Sequence, residues 1–259
     1  MKNTSLKTQK NNRDFVTILG IRINSTPKGE LLKLIENKLA KKIQFVIVTP
    51  NPEIILQAQS DPKLTHSLNS ADFSIPDGFG LRFAQPSLKI TKGREFFLDL
   101  LRIANKNKLK IYLLGGRDFV NKKSQELLTS QYPNILVSGN SGPMLDNNAD
   151  PVSEVDTNLQ FEIVKEINVF KPDLLFVAFG APKQEIWINK HLKDLKVTGA
   201  MAIGGSLDYY SGFVRPVPNL LANLRLEWLW RLIQEPKRIK RIFNALIIFP
   251  ILIVLSKRG

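Results

Sequence analysis

The chain has 259 residues, of which 43% are hydrophobic, and its 37 Lys and Arg outnumber its 23 Asp and Glu to give a net charge of +14. This length and apolar content fit one large domain or a domain with an appendage, and they argue against intrinsic disorder and a multi-span membrane protein. The sequence contains no Cys, which excludes disulfide scaffolds, thiolate zinc sites and cysteine nucleophiles. It contains only two His, so few residues are available for the histidine of a hydrolase triad.

The positive charge is concentrated at the two ends of the chain. Residues 1–14 contain four Lys or Arg and one Asp, and residues 213–259 contain nine Lys or Arg and two Glu, which leaves a net charge of only +4 between them. Residues 1–14 are polar and show no cleavage site, so we expect a disordered leader rather than a signal peptide. The basic C-terminal end indicates an anionic surface that this part of the protein contacts.

From Phe15 onward, short β-branched runs alternate with helical patterns. Residues 15–23 predict a strand pair or hairpin. Further strands are expected at 45–48, 73–75, 110–114, 174–179 and 199–203, and helices at 27–41, 50–59, 95–105, 119–131 and 159–170. The stretch 138–156 is rich in Gly, Pro, Asn and Asp and predicts the longest loop. His66 and His191 are both expected at the surface.

Strands that are apolar on both faces and alternate with helices predict an α/β fold, a Rossmann-like sandwich with a mainly parallel sheet. The predicted organisation is the leader 1–14, an α/β domain over 15–212 and a C-terminal helical appendage over 213–259. In such sheets, ligands bind at the carboxyl ends of the strands.

Five polar clusters follow predicted strands, and a parallel sheet would bring them to one edge. They are Thr49-Pro50-Asn51, Pro76-Asp77-Gly78, Gly115-Gly116-Arg117, the run from Gly180 to Glu185, and Gly204-Gly205-Ser206. The glycines let the backbone approach a phosphate closely. Neither the dinucleotide glycine fingerprint nor the Walker lysine motif is present in the sequence.

Three residues in these clusters have side chains suited to chemistry. Asp77 lies between Pro and Gly on a rigid turn and could act as a general base, or it could only stabilise the bend. Thr49 and Asn51 could hydrogen-bond a sugar or a phosphate, or they could cap the helix that follows.

These motifs, taken together and in this order, resemble the WecG/TagA/CpsF glycosyltransferase family. The resemblance rests on Thr49 to Glu53, Ala71 to Gly80, Leu113 to Gly116, Pro172 to Glu185, Gly204 to Asp208 and Leu226 to Pro236, and it extends from about residue 15 to about residue 241. It implies transfer of an N-acetylmannosamine-type sugar from a UDP donor, with inversion, to a polyprenyl-pyrophosphate-linked N-acetylglucosamine. The products would enter teichoic acid or other surface polysaccharide synthesis.

By the same resemblance, site residues can be assigned in this chain. Asp77 matches the catalytic base and Thr49 the residue beside it, while Asn51 and Gln184 match donor-contacting positions. The glycine pairs Gly115-Gly116 and Gly204-Gly205 are expected to line the substrate crevice. No metal motif of the DxD type is present, so we expect no metal cofactor, with arginines and backbone amides stabilising the leaving group.

One segment departs from the family pattern. The family has an Arg-Val-x-Gly-x-Asp stretch after the Pro-Asp-Gly strand, whereas this chain has Lys89 to Glu95 with the sequence KITKGRE. Glycine and a following acid are kept, but the arginine does not align, and Lys89, Lys92 or Arg94 could replace its charge.

The C-terminal appendage combines basic residues with an apolar run. Residues 242–255 are apolar apart from Asn244, which is too short a run to cross a bilayer but suits an interfacial segment beside anionic lipid. The alternative is a core helix with a solvated basic face. In the family, arginines of this appendage reach the active site, and Arg231, Arg238 and Arg241 match them.

These features predict a cytoplasmic protein that is peripheral on the inner face of the membrane, with no nucleic-acid partner and with homo-oligomer formation left open. Two other functions remain to be weighed. A nucleic-acid-binding protein would explain the pI of about 9.9, although the weakly charged centre of the chain argues against it. A nicotinamide-dependent oxidoreductase would fit the α/β alternation but lacks the glycine fingerprint.

Overall fold

A computed structural model describes residues 15–215, 217–218, 221, 227–234 and 239–256. The predicted leader, residues 1–14, lies outside this part of the chain. Within the described residues the strands are β1 Phe15–Ile18, β2 Ile21–Asn24, β3 Phe45–Val48, β4 Phe73–Ser74, β5 Lys110–Gly115, β6 Leu136–Asn140, β7 Leu174–Ala178 and β8 Gly199–Ala202.

The helices of the α/β part follow the strands along the chain. They are α1 Lys28–Ala40, α2 Pro52–Ala58, α3 Pro62–Ser70, α4 Gly93–Lys106, α5 Asp118–Gln131, α6 Glu154–Phe170, α7 Lys183–His191 and α8 Ser206–Tyr210. Two 3-10 helices, Phe79–Phe83 and Leu192–Asp194, lie between them. In the C-terminal part, α9 spans Glu227–Gln234, α10 Ile239–Phe243 and α11 Phe249–Ser256, with a π-helical turn Asn244–Ile248 between the last two.

Within the described residues, six strands form a parallel sheet in the order β4, β3, β8, β7, β5, β6. β1 and β2 pair separately as an antiparallel hairpin. This arrangement confirms the α/β class and the parallel sheet. It also places the ends of β3, β8, β7 and β5 side by side, where the strand order reverses and a ligand crevice is expected.

Alternate residues of each central strand face opposite layers, which explains why these strands are apolar throughout. Tyr112 and Leu114 of β5 pack in the layer that contains the hairpin, α2, α3, α6 and α7. Ile111 and Leu113 pack in the layer that contains α1, α4, α5 and α8. Both layers are continuous, so helices cover the sheet on its two faces.

The prediction of a long loop over 138–156 is wrong at both ends. Strand β6 includes residues 138–140 and pairs with β5 in register from Lys110 to Leu114. Helix α6 starts at Glu154, where the Ser153 side chain accepts a hydrogen bond from the Asp156 amide. The Gly and Asn content concealed an edge strand, because β6 is only partly buried and lacks an apolar pattern.

The C-terminal helices are joined to the α/β part on the hairpin side of the sheet. Phe249 and Ile253 of α11 are buried in the same core cluster as Ile54 and Ile55 of α2. Trp230 and Gln234 of α9 each donate a side-chain hydrogen bond to the carbonyl of Arg215. The predicted appendage therefore contributes one face to the protein core, as the core-helix alternative required, while its opposite face stays exposed.

Candidate active site

The turn that carries Asp77 is fixed by backbone hydrogen bonds to both neighbouring segments. The Asp77 amide donates to the Pro50 carbonyl at 3.1 Å, and the Thr91 amide donates to the Pro76 carbonyl at 2.9 Å. Gly78 has φ +91°, and a Cβ added there would lie 3.3 Å from the ring of Pro52. The turn thus requires glycine for its conformation and for its close approach to α2, and it holds the partly exposed Asp77 carboxylate beside the end of β3.

Thr49 follows β3 directly and is 8% exposed. Helix α4 begins next to it, since a Cβ on Gly93 would lie 3.2 Å from the Thr49 methyl and 3.3 Å from its hydroxyl oxygen. The glycine that the 89–95 segment shares with the family pattern therefore lets the first turn of α4 approach Thr49. Thr49, Asp77 and the N-terminus of α4 lie at one end of the crevice.

Asn51 has a structural task in the described chain. Its side-chain oxygen accepts a hydrogen bond from the Ile54 amide at 2.9 Å, which makes it the N-cap of α2, with Pro52 in the first turn. Its amide nitrogen has no described hydrogen bond to protein. The capping alternative is thus realised, and the donor-contacting role expected of Asn51 would fall to that amide group.

Gln184 joins the ends of two adjacent strands. It is 2% exposed, and its side-chain oxygen accepts hydrogen bonds from the amides of Gly180 at 3.2 Å and Gly204 at 2.9 Å. Its nitrogen donates to the Glu185 carboxylate at 2.8 Å. The Gly180 loop, which contains a cis Ala181–Pro182 peptide bond, is thereby tied to the Gly204-Gly205 turn. This geometry makes Gln184 a positioning residue, because it holds the two turns that form the floor of the crevice at the ends of β7 and β8.

Gly115 and Gly116 turn the chain sharply at the end of β5, with φ +98° and +79°. A Cβ on Gly115 would lie 2.8 Å from the Ala178 carbonyl carbon of the adjacent strand. The Asn121 side chain, which sequence reasoning missed, is buried and donates to the carbonyls of Gly115 and Asn140. A polar residue on the inward side of α5, one turn after the glycine pair, is the signal that could have found it.

Two arginines at the crevice are stacked on aromatic rings of one segment. The Arg94 guanidinium lies 5.0 Å from the ring centre of Tyr209, and the Arg117 guanidinium lies 4.5 Å from that of Phe213. Lys92, in contrast, is 3.9 Å from the Glu95 carboxylate. Among Lys89, Lys92 and Arg94, Arg94 is therefore the residue whose side chain connects α4 to α8 through a cation–π contact, and it is the best candidate to replace the charge of the family's arginine.

The remaining predicted site residues lie in the C-terminal part. Arg238 is outside the described residues. Arg231 belongs to α9 and Arg241 to α10, but their side chains are outside the described part of the structure. Within that part, no group of three or more His, Asp or Glu side chains is placed to hold a metal ion, and no helix is both long and apolar enough to cross a bilayer.

The two histidines differ from each other. His66 is exposed, as predicted. The prediction for His191 is wrong, because this residue is partly buried with its ring centre 4.6 Å from that of Trp187. Burial, assisted by Lys190, lowers the pKa of His191 below its ordinary value. The amphipathic pattern of α7 is weak, so the sequence did not indicate which way His191 faces.

The parallel α/β sandwich carries an acidic turn and several glycine turns at the carboxyl ends of its strands, where such sheets bind their ligands. Comparison with known families identifies the class of protein. Residues 16–259 match the model of the glycosyl transferase WecG/TagA/CpsF family, and the chain belongs to this family. The enzyme is therefore a glycosyltransferase.

Its curated relatives match along nearly their whole length. A protein of Staphylococcus aureus strain MW2, named N-acetylglucosaminyldiphosphoundecaprenol N-acetyl-beta-D-mannosaminyltransferase, is 32% identical over 258 residues that cover 96% of each chain. The proteins of the same name from strains NCTC 8325 and MRSA252 are 32% and 31% identical over the same share of each chain.

Proposed function

We propose that this enzyme transfers an N-acetylmannosamine-type sugar from a UDP donor to a polyprenyl-pyrophosphate-linked N-acetylglucosamine. The names of the relatives support the sugar and the lipid-linked acceptor, and family membership argues against a nucleic-acid-binding protein or a nicotinamide-dependent oxidoreductase. The observation that carries the proposal is the fixed Asp77 turn beside Thr49, at the edge where the glycine turns of β5, β7 and β8 also end.

The proposed reaction is a single displacement with inversion. The acceptor hydroxyl attacks the anomeric carbon of the donor, its proton passes to the Asp77 carboxylate, and the bond from that carbon to the diphosphate oxygen breaks to release UDP. Because the Pro50 and Pro76 carbonyls hold the turn, the carboxylate is positioned before substrate binds. Thr49 would orient the sugar beside it.

Negative charge on the departing UDP needs positively charged and amide groups. We assign this role to Arg94, which is stacked on Tyr209, and to the backbone amide of Gly205, since the Gly116 and Gly204 amides donate to the Ala178 carbonyl and the Gln184 side chain. Arg231, Arg238 and Arg241 would join them from the C-terminal part. Arginine suits this role because its planar guanidinium binds phosphate oxygens in a bidentate manner.

The exposed face of the C-terminal helices supports a peripheral position on an anionic membrane. Several apolar side chains on this face are between about one third and three fifths exposed: Phe243, Leu246, Ile247, Ile248, Ile251, Val254 and Leu255. An exposed apolar face in a segment whose sequence is rich in Lys and Arg is typical of interfacial segments. It would place the crevice near a lipid-linked acceptor at the cytoplasmic face.

A transfer assay with a panel of UDP-sugars and a polyprenyl-pyrophosphate N-acetylglucosamine acceptor in vesicles tests the proposal. We expect UDP release with an N-acetylmannosamine donor, a product of inverted anomeric configuration by NMR, and a loss of turnover of roughly 100-fold or more in Asp77→Ala. Glu162→Ala, an exposed carboxylate of α6, is the matched control. Full turnover of Asp77→Ala would show that the assigned base is wrong.

A further inference from the structure

The 3-10 helix Phe79–Phe83 begins two residues after Asp77 and presents two aromatic rings at the surface. Leu81 in its middle is fully buried, whereas Phe79 is 42% and Phe83 57% exposed. Two exposed Phe side chains within five residues offer apolar surface that an apolar ligand would remove from water on binding. The anchoring by Leu81 fixes this short segment, so the two rings have defined positions beside the catalytic turn.

Between the two aromatic residues, Arg82 has a fixed orientation. Its guanidinium lies 5.0 Å from the Phe79 ring centre, and its Nε donates to the Leu88 carbonyl at 3.1 Å. In the described part of the chain, no carboxylate lies within salt-bridge distance of this guanidinium. Its remaining N–H groups are therefore suited to bind phosphate oxygens of a ligand.

The proposed acceptor has the matching order of groups. One sugar ring and a pyrophosphate separate its reacting hydroxyl from the first isoprene unit. Two residues of chain place the Cα of Phe79 at most about 7 Å from that of Asp77, and a 3-10 helix advances about 2 Å per residue toward Phe83. A hydroxyl at Asp77 thus brings the pyrophosphate near Arg82 and the start of the prenyl chain near the two rings.

We propose that Phe79, Arg82 and Phe83 form the subsite for the junction of pyrophosphate and isoprenoid in the acceptor. Arg82 binds the pyrophosphate, and the two Phe rings cover the first isoprene units as they leave the crevice. The inference rests on the proposed acceptor. Helix α11 packs against this 3-10 helix, so the subsite borders the C-terminal helices, whose exposed apolar side chains would face an arriving membrane-embedded chain.

Two water-soluble acceptors distinguish binding of the acceptor at this subsite from general contact of the protein with a bilayer. Both acceptors carry N-acetylglucosamine pyrophosphate, one ending in methyl and the other in geranyl, and they are used without vesicles or detergent. We expect the wild-type enzyme to prefer geranyl by about tenfold in kcat/KM, and Phe83→Ser to lower this preference about fivefold, chiefly through a lower kcat/KM for the geranyl acceptor. Phe161→Ser, which alters a 69% exposed ring on α6, should keep the wild-type preference.

Arg82 gives a second, independent readout. Arg82→Gln should lower kcat/KM for the methyl and geranyl acceptors by the same factor, about tenfold, and leave UDP binding unchanged, whereas Arg82→Lys should recover part of the loss. Thermal melting establishes that each variant is folded.

The outcomes distinguish this inference from the function on which it rests. If the wild-type enzyme transfers sugar to neither acceptor, the proposed function fails with it. If the wild-type enzyme is active but Phe83→Ser keeps the geranyl preference, the subsite is wrong. Loss of vesicle binding in Phe83→Ser with an unchanged preference would likewise overturn it in favour of a bilayer contact.

Discussion

The side-chain oxygen of Gln184 accepts a hydrogen bond from the Gly204 amide at 2.9 Å while it also accepts one from the Gly180 amide. One buried amide group therefore fixes the turns that follow β7 and β8. Both turns use positive φ at glycine, +79° at Gly180 and +52° at Gly204, and neither belongs to a regular element that would hold it in place. The shape of the crevice floor depends on this side chain.

Replacing Gln184 by Met should therefore affect both stability and substrate binding. The variant keeps the side-chain volume but leaves two backbone amides without their acceptor, so we expect a loss of about 1 to 3 kcal/mol in the free energy of unfolding and a raised KM for the donor. Urea unfolding and steady-state kinetics measure the two effects. Gln57→Met in α2, at a partly exposed position whose side chain makes no hydrogen bond within the described residues, is the control. Equal stability of the two variants would contradict the role of Gln184 in joining the two turns.

The contact between Gly93 and Thr49 predicts a loss of activity from a single methyl group. In Gly93→Ala, the new Cβ would meet the Thr49 methyl at 3.2 Å and its hydroxyl oxygen at 3.3 Å, so the buried Thr49 has to shift slightly to relieve the contact. Since Ala favours the helix by up to about 1 kcal/mol, the unfolding free energy should change little while kcat/KM falls roughly tenfold by displacement of Thr49.

Two further variants test this explanation. Gly29→Ala in α1, where a Cβ would meet no atom within 4 Å, should keep full activity. Combining Gly93→Ala with Thr49→Ser removes the shortest contact, that of the methyl group, and keeps those of Cβ and the hydroxyl oxygen at 3.3 Å. The double variant should therefore lose somewhat less activity than the product of the two single effects. Additive losses in the double variant would show that the effect of Gly93→Ala does not pass through Thr49.

Much of this architecture could be predicted from the sequence because the strands are buried on both faces. The central strands lie within a residue or two of their expected bounds, since continuous apolar runs ending in Gly or Pro leave few alternatives. The edge strand β6 could not be found this way, because it is partly exposed and contains Ser, Gly and Asn. Exposure removes the apolar signal on which strand prediction depends.

For the candidate site, the sequence indicates which turns meet at one edge of the sheet but not the contacts between their residues. The order of strand-end motifs predicts this meeting, and the Asp77 amide does bond the carbonyl of Pro50, the residue that follows Thr49. That Gln184 bonds backbone amides, or that Asn121 supports the Gly115 turn, depends on the directions of side chains over long sequence separations. Those directions follow from packing, which a single sequence does not specify.

The two faces of the C-terminal helices should respond differently to substitution. Phe249 is fully buried against the α2 layer, so Phe249→Ala should cost about 3 to 5 kcal/mol of unfolding free energy. Ile251 is half exposed, so Ile251→Ser should leave stability within about 0.5 kcal/mol but weaken binding to anionic vesicles. Urea unfolding measures the stability of both variants, and co-sedimentation with vesicles measures membrane binding. If the double variant Ile247→Ser/Ile251→Ser bound vesicles as well as the wild-type protein, the exposed face of these helices would not be the one that contacts the membrane.

His191 predicts a pH dependence of stability with a definite sign. Burial beside Trp187 lowers its pKa below the ordinary value of 6.5, so the unfolded chain binds a proton more readily than the folded one. The stabilisation is complete above pH 6.5 and is lost as the pH falls through the lowered pKa of the folded state. In His191→Gln this contribution disappears, so urea unfolding should show a smaller stability decrease between pH 7.5 and pH 5 than in the wild-type protein. His66→Gln, at an exposed position, should retain the wild-type profile, and an identical profile for all three proteins would show that His191 is not the group responsible.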